Sequence, residues 1–183
     1  MDEISTHGIT ATALLRNRHH EVKGMFDQLL NSVGGERQEL FDCLRATLAV
    51  HETVEEIVIH PKVRGFDDAG REAVEARLQE EQRAKEMLAG LEQLDTRDSE
   101  FPRRIAVFRD AVVAHAEAEE REVFPRIEQR CSLEEQCAMA ARIERAEKLA
   151  PTHPHPHGPT SAVGNMIVGP FAAIVDRVRD ALR

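Results

Sequence analysis

Two histidines in this chain stand four residues ahead of a glutamate: His51 before Glu55, and His115 before Glu119. Residues four apart share one face of a helix, so each pair sets an imidazole beside a carboxylate. Those are the donor types that bind zinc, iron and manganese. The pairs also belong to a repeat. HETVEEIVIHPKV from His51 and HAEAEEREVFPRI from His115 share the pattern H-x-x-x-E-E-x-x-x-x-P, with Pro61 matching Pro125 at an offset of 64 residues. Glu is abundant in this chain, but His and Pro are not, so composition alone does not explain the match.

Each pair falls where an amphipathic helix should be apolar. Leu40, Leu44, Thr47, His51, Glu55 and Val58 follow one 3,4 rhythm, and Ile105, Phe108, Val112, His115, Glu119 and Val123 follow another. Burying unpaired carboxylates costs several kcal/mol each, and bound cations offset that cost. His19 lies on a third inward stripe with Leu15, Val22, Phe26 and Leu29, whereas His20 is rotated about 100° away. A fourth stripe, Val74, Leu78, Glu81, Lys85 and Leu88, has no histidine and offers Glu81, either as a ligand or as the i, i+4 partner of Lys85. His60 is a further candidate. Five residues after Glu55 is a poor rotation unless the helix unwinds before Pro61. Glu56 and Glu120 sit about 100° off their stripes and are expected to play no part.

Three imidazoles and two or three carboxylates exceed one tetrahedral zinc site and suit a carboxylate-bridged pair of iron or manganese ions. The E-x-x-H of ferritin-type di-iron bundles is absent, and HETVE fails as a zinc-protease H-E-x-x-H because Glu55 replaces the second histidine.

The elements that must hold these residues read as helices rich in Ala, Glu, Leu and Arg. Helices are expected over about 10–32, ending at Gly34-Gly35; 36–60, closed by Pro61; 68–95; and 99 to just beyond Pro125. Short breaks favour antiparallel neighbours, hence an all-α, up-down-up-down four-helix bundle. Ser132 and Glu135 form a capping box for a fifth helix reaching Ala150. PTHPHPHGPT follows, then an apolar stripe from Ile167 to Leu182 that suits a docked last helix. The expected organisation is a bundle over 1–130, a helical extension over 131–150, a Pro/His-rich linker over 151–165 and an amphipathic helix over 166–183. The tail histidines His153, His155 and His157 read first as a solvated linker.

Composition narrows the functional classes. The chain has 183 residues, 42% hydrophobic and 31% charged, with a net charge of −9. That acidity disfavours nucleic acid and anionic membranes, and no 18-residue apolar run could span a bilayer. Trp and Tyr are absent, and three cysteines fit neither a disulfide framework nor a C-x-x-C metal site. MDEISTHGIT lacks the features of a signal peptide, so the expected compartment is the cytoplasm.

With LLRNRHHEV around His19, HETVEE at His51 and HAEAEEREVFP at His115, the sequence resembles the hemerythrin-like (HHE cation-binding) family over about residues 10–130. The resemblance implies a non-haem centre of two iron ions with an oxo or hydroxo bridge. His19, His51 and His115 would be terminal ligands, and Glu55 and Glu119 would bridge. Oxygen-carrying hemerythrins have histidines on the third helix; here Glu81 and Gln82 stand instead. More anionic ligation favours ferric iron, which argues against reversible oxygen carriage. The expected function is handling of peroxide or oxygen, most simply catalase-like disproportionation of hydrogen peroxide. The alternative is a non-enzymatic module that binds or senses oxygen, nitric oxide or iron. Neither reading fixes an oligomeric state.

Overall fold

The computed structural model describes residues 8–149, and every regular element among them is helical. α1 spans Ala11–Asn31 and α2 spans Gly34–Val54. A π-helical turn, Glu55–Ile59, joins α2 to α3, His60–Arg64. Then come α4 (Asp68–Glu92), α5 (Phe101–Glu122), α6 (Phe124–Arg130) and α7 (Leu133–Leu149). α1, the α2–α3 arm, α4 and α5 make the helical bundle, while α7 lies against α1 and α2. The expected segments from 151 onward, with His153, His155 and His157, lie outside the described residues, as does His7.

Local chemistry sets the helix ends. Thr10 caps α1 by accepting from the Ala13 N–H at 3.3 Å. Gly34-Gly35 does not simply end α1. Ser32 is already extended, and Gly34, at φ 64°, forms the tight entry into α2. Asp67 caps α4 through the Gly70 N–H at 2.7 Å. Gly70 has no room for a side chain, because a Cβ there would collide with the Val63 carbonyl oxygen at the end of α3. The Ser132–Glu135 capping box forms as expected, at 3.1 and 2.8 Å.

Pro61 does not close the second helix. Proline has no N–H to offer the preceding turn. The chain widens by one residue instead, with the His60 N–H bonding to the Glu55 carbonyl, and continues to Arg64. The expected inward stripe of this helix also shifts: Leu40 and Thr47 are half-buried, and Phe41 and Leu48 take the core positions. The apolar face is broader than a single 3,4 row.

The core is divided. Leu15, Val54, Val74, Val123, Phe124 and Ile143 belong to one apolar cluster, joined by α7. Val22, Phe26, Leu48, Leu88, Phe108 and Val112 belong to another. Between them, on all four bundle arms, lies a polar layer: His19 on α1, His51 to His60 on the second arm, Glu81 on α4, and His115 and Glu119 on α5.

Candidate metal centre

The polar layer holds all seven candidate ligands in one buried group. His19, His51, Glu55 and Glu119 each present a donor atom within 4.8 Å of the others. His19 Nε2 lies 3.5 Å from Glu119 Oε2 and 3.8 Å from Glu55 Oε1, and His51 Nε2 lies 3.4 Å from Glu55 Oε2. His60 Nε2 approaches Glu119 Oε1 at 3.6 Å and Glu81 Oε1 at 3.8 Å, while His115 Nε2 reaches Glu119 Oε2 at 3.6 Å. Glu119 is therefore shared by three imidazoles. The π turn brings His60 here: the extra residue of an i→i+5 turn gives residues five apart the same-face relation that residues four apart have in an α-helix. His20, by contrast, is exposed, and Gln82 is exposed and bonded to Glu86.

These separations are too long for hydrogen bonds and short enough for a cation between the atoms. His19 Nε2, His115 Nε2, both nitrogens of His60, and both oxygens of Glu55, Glu81 and Glu119 are buried without a hydrogen-bond partner. Folded proteins rarely leave so many buried polar atoms unsatisfied in one place. The residues present therefore fit a metal centre.

The carboxylates respond to burial in different ways. Burial, reinforced by the charge of Glu119, holds the Glu55 carboxyl well above its usual range. Glu119 goes the other way: burial opposes its ionisation, but contacts with His19 and His60 and the charge of His115 hold it well below the usual range. Burial likewise disfavours a charged His19, yet Glu119 and Glu55 outweigh it and raise the imidazole to about 10. Burial lowers His51 to about 3, helped by the neighbouring His19. Glu81 is pushed up to about 8 by burial and Glu52, with His60 and Lys85 opposing. Lys85 Nζ sits 3.6 Å from Glu81, so the expected i, i+4 contact coexists with the placement of Glu81 in the cluster.

Three carboxylates of the site escaped the sequence reading. Glu120 Oε1 lies 2.8 Å from His19 Nδ1, which corrects the expectation that Glu120 plays no part. Glu80 Oε2 lies 3.1 Å from His115 Nδ1. Glu52, beside His51, is buried and raised to about 8 by burial, with Lys85 opposing. Their reach across to a neighbouring helix left no mark in the periodicity of their own helix. Glu56, the repeat counterpart of Glu120, bonds Lys85 at 3.1 Å.

A narrow open cleft meets the cluster, lined by His19, His51 and His115 together with Val22, Lys23, Leu48, Glu52, Val112 and Ala116. The His19 ring is stacked on Phe124, with centroids 5.5 Å apart.

Fold and site together define an all-helical bundle with a buried His/Glu cluster suited to metal ions. The chain belongs to the hemerythrin family: the model of the hemerythrin HHE cation binding domain matches residues 10–127. It is 34% identical over 136 residues to an uncharacterized hemerythrin-like protein of Schizosaccharomyces pombe, covering 74% of this chain and 67% of that one. A DNA nickase of Nostoc sp. is 27% identical over 135 residues, 73% of this chain, which spans only 38% of that protein's length. The crystal structure of a hemerythrin HHE cation binding domain-containing protein from Mycobacterium kansasii has the same fold. Its TM-score is 0.70 at 22% identity, covering 93% of this chain and 99% of that one. Among the described residues no helix is long and apolar enough to cross a membrane.

Proposed function

We propose that His19, His51, His60 and His115, with Glu55, Glu81 and Glu119, hold two non-haem iron ions, and that the protein disproportionates hydrogen peroxide there. The observation that carries this reading is the set of buried, unpartnered imidazoles and carboxylates converging on Glu119. Seven donors are more than one metal ion needs, and Glu55 and Glu119 would be the carboxylates shared between two ions. An adjacent iron pair supplies a two-electron couple, which suits a substrate that is both oxidant and reductant.

The chain's own residues prepare the site. Glu119 is held ionised, ready to bridge, while His19 and Glu55 must release protons as metal enters. Glu81 adds a carboxylate where oxygen carriers have imidazole, which favours turnover over reversible oxygen binding. The cleft, where Val22, Leu48 and Val112 stand beside Lys23, Glu52 and the three histidines, suits a small substrate such as peroxide or oxygen. Three cysteines that fit no disulfide framework suit a reducing, cytoplasmic setting.

The test is iron content per chain in protein from its native source, followed by oxygen evolution on adding peroxide. Two irons and oxygen release are expected. One metal per chain, or zinc alone, overturns the di-iron reading. Two irons with inertness to peroxide, and repeated binding and release of oxygen on pressure cycling, would favour the alternative of a binding or sensing module.

A further inference from the structure

Four imidazoles enter the cluster, but they are not held alike. His19 and His115 each present Nε2 to the cluster and have Nδ1 against a carboxylate that is not part of it: Glu120 at 2.8 Å and Glu80 at 3.1 Å. His51 Nδ1 and His60 Nδ1 are buried and have no hydrogen-bond partner. The two outer carboxylates come from different helices, α5 and α4, and each crosses to an imidazole on another: Glu120 to α1, Glu80 to α5.

Glu80 is itself fixed. Arg77, 5% exposed, donates from Nη2 to Glu80 Oε1 at 2.8 Å and from Nη1 to Glu122 Oε2 at 3.0 Å. That clamp occupies one oxygen of Glu80 and leaves Oε2 for His115. On the other side, Phe124 stacks on the His19 ring with an interplanar angle of 15°, while Glu120 takes its edge. Ring plane and ring edge are both constrained. An imidazole that donates Nδ1–H to a carboxylate keeps its Nε2 lone pair for a metal, and the carboxylate makes that nitrogen more basic.

We infer that Glu120 and Glu80 are positioning residues of the metal centre: each fixes its histidine's ring through Nδ1–H, so that Nε2 is aimed at the metal and the Nδ1–H tautomer is the one kept once metal binds. His19 and His115 are then the pre-oriented ligands, and His51 and His60 the adaptable ones. This rests on the iron-binding reading above, and the experiment separates the two.

Glu120→Ala, Glu80→Ala and the conservative Glu120→Gln and Glu80→Gln variants of the full chain are titrated anaerobically with ferrous iron against a competing chelator. Glu117→Ala removes the same charge from exposed surface on α5 and serves as the electrostatic control. Each alanine variant should bind iron about 10–100-fold more weakly. The glutamine variants, which keep an acceptor oxygen, should recover most of that loss, and Glu117→Ala should match wild type. In zinc-loaded protein, nitrogen-15 NMR should show Nδ1–H protons on His19 and His115, each slowed in exchange and each lost in its own alanine variant. Wild type that binds two irons alongside alanine variants of equal affinity overturns the inference alone. So does an equal loss in Glu117→Ala, which would make the effect one of net charge. A wild-type chain that binds no iron overturns the centre and the inference together.

Discussion

Glu55 and Glu119 occupy matching places in the repeat and are both wholly buried, yet they should respond in opposite ways to loss of charge. In metal-free protein Glu119 is an anion facing a protonated His19, whereas burial and the charge of Glu119 keep Glu55 neutral. Glutamine keeps the shape of either side chain and mimics only the neutral acid. Glu119→Gln therefore breaks a buried ion pair and leaves the inner edge of the His19 imidazolium without an anion, Glu120 holding only its Nδ1, a change that costs about 3–5 kcal/mol. For a domain of this size each kcal/mol moves the midpoint by about 2–4 °C, so the fall should be roughly 6–20 °C. Glu55→Gln replaces a neutral acid by a neutral amide and should cost under about 1 kcal/mol at neutral pH. The pH dependence has a definite sign. Glu119, depressed in the fold, contributes stability above the usual carboxylate range and loses it as pH falls through its folded value. Glu55, raised in the fold, contributes stability below the usual range and loses it as pH climbs. The gap between the variants should thus be wide at pH 7 and narrow in acid. Thermal unfolding of chelator-stripped protein, followed by circular dichroism, measures it. With iron present the asymmetry should vanish, because each variant removes a candidate bridge and should lose at least one ion. Equal destabilisation of the two metal-free variants at pH 7, or a larger loss for Glu55→Gln, would refute the charge assignment.

Iron loading should release protons and strengthen with pH, because His19, raised to about 10, and Glu81, raised to about 8, must both deprotonate to bind metal. Calorimetry in buffers of differing ionisation enthalpy measures the release, and a proton-neutral titration at pH 7 would contradict it. Gly70→Ala should destabilise the fold by about 1–3 kcal/mol, because its methyl group meets the Val63 carbonyl oxygen, while iron per chain stays at the wild-type value. An unchanged unfolding midpoint would show that α3 and α4 shift apart freely.

Much of this buried cluster was legible in the sequence because its polar residues interrupt apolar stripes. His19 between Leu15 and Val22, and His115 and Glu119 between Val112 and Val123, mark the polar layer that divides the core. Periodicity reports where a residue faces on its own helix, which sufficed for those positions and for Glu81. It does not report reach. Glu120 lies off its stripe, but its side chain crosses to α1, and Glu80 crosses to α5 in the same way. The second helix was read less well. A proline after a long helical run looks like a terminator, and only the π turn shows that the chain absorbs Pro61 and carries His60 inward. The shift from Leu40 and Thr47 to Phe41 and Leu48 has a simpler cause: a wide apolar face admits two neighbouring rows, and packing selects between them.

His60 and Phe124 occupy the same place in the two copies of the repeat, each just ahead of its proline. Their backbones part there. The first copy passes through the π turn, and the second breaks at Val123 and restarts as α6. Both side chains nevertheless return to the cluster, His60 beside Glu119 and Glu81, Phe124 flat against His19. The two copies of the repeat share His, both Glu and Pro, and the residue just ahead of the proline is one of the places where they differ. One copy offers a nitrogen donor where the other lays down a hydrocarbon lid. The shared H-x-x-x-E frame places a histidine and a glutamate from each copy in the His/Glu cluster, and the difference at the pre-proline residue makes its two sides chemically unequal.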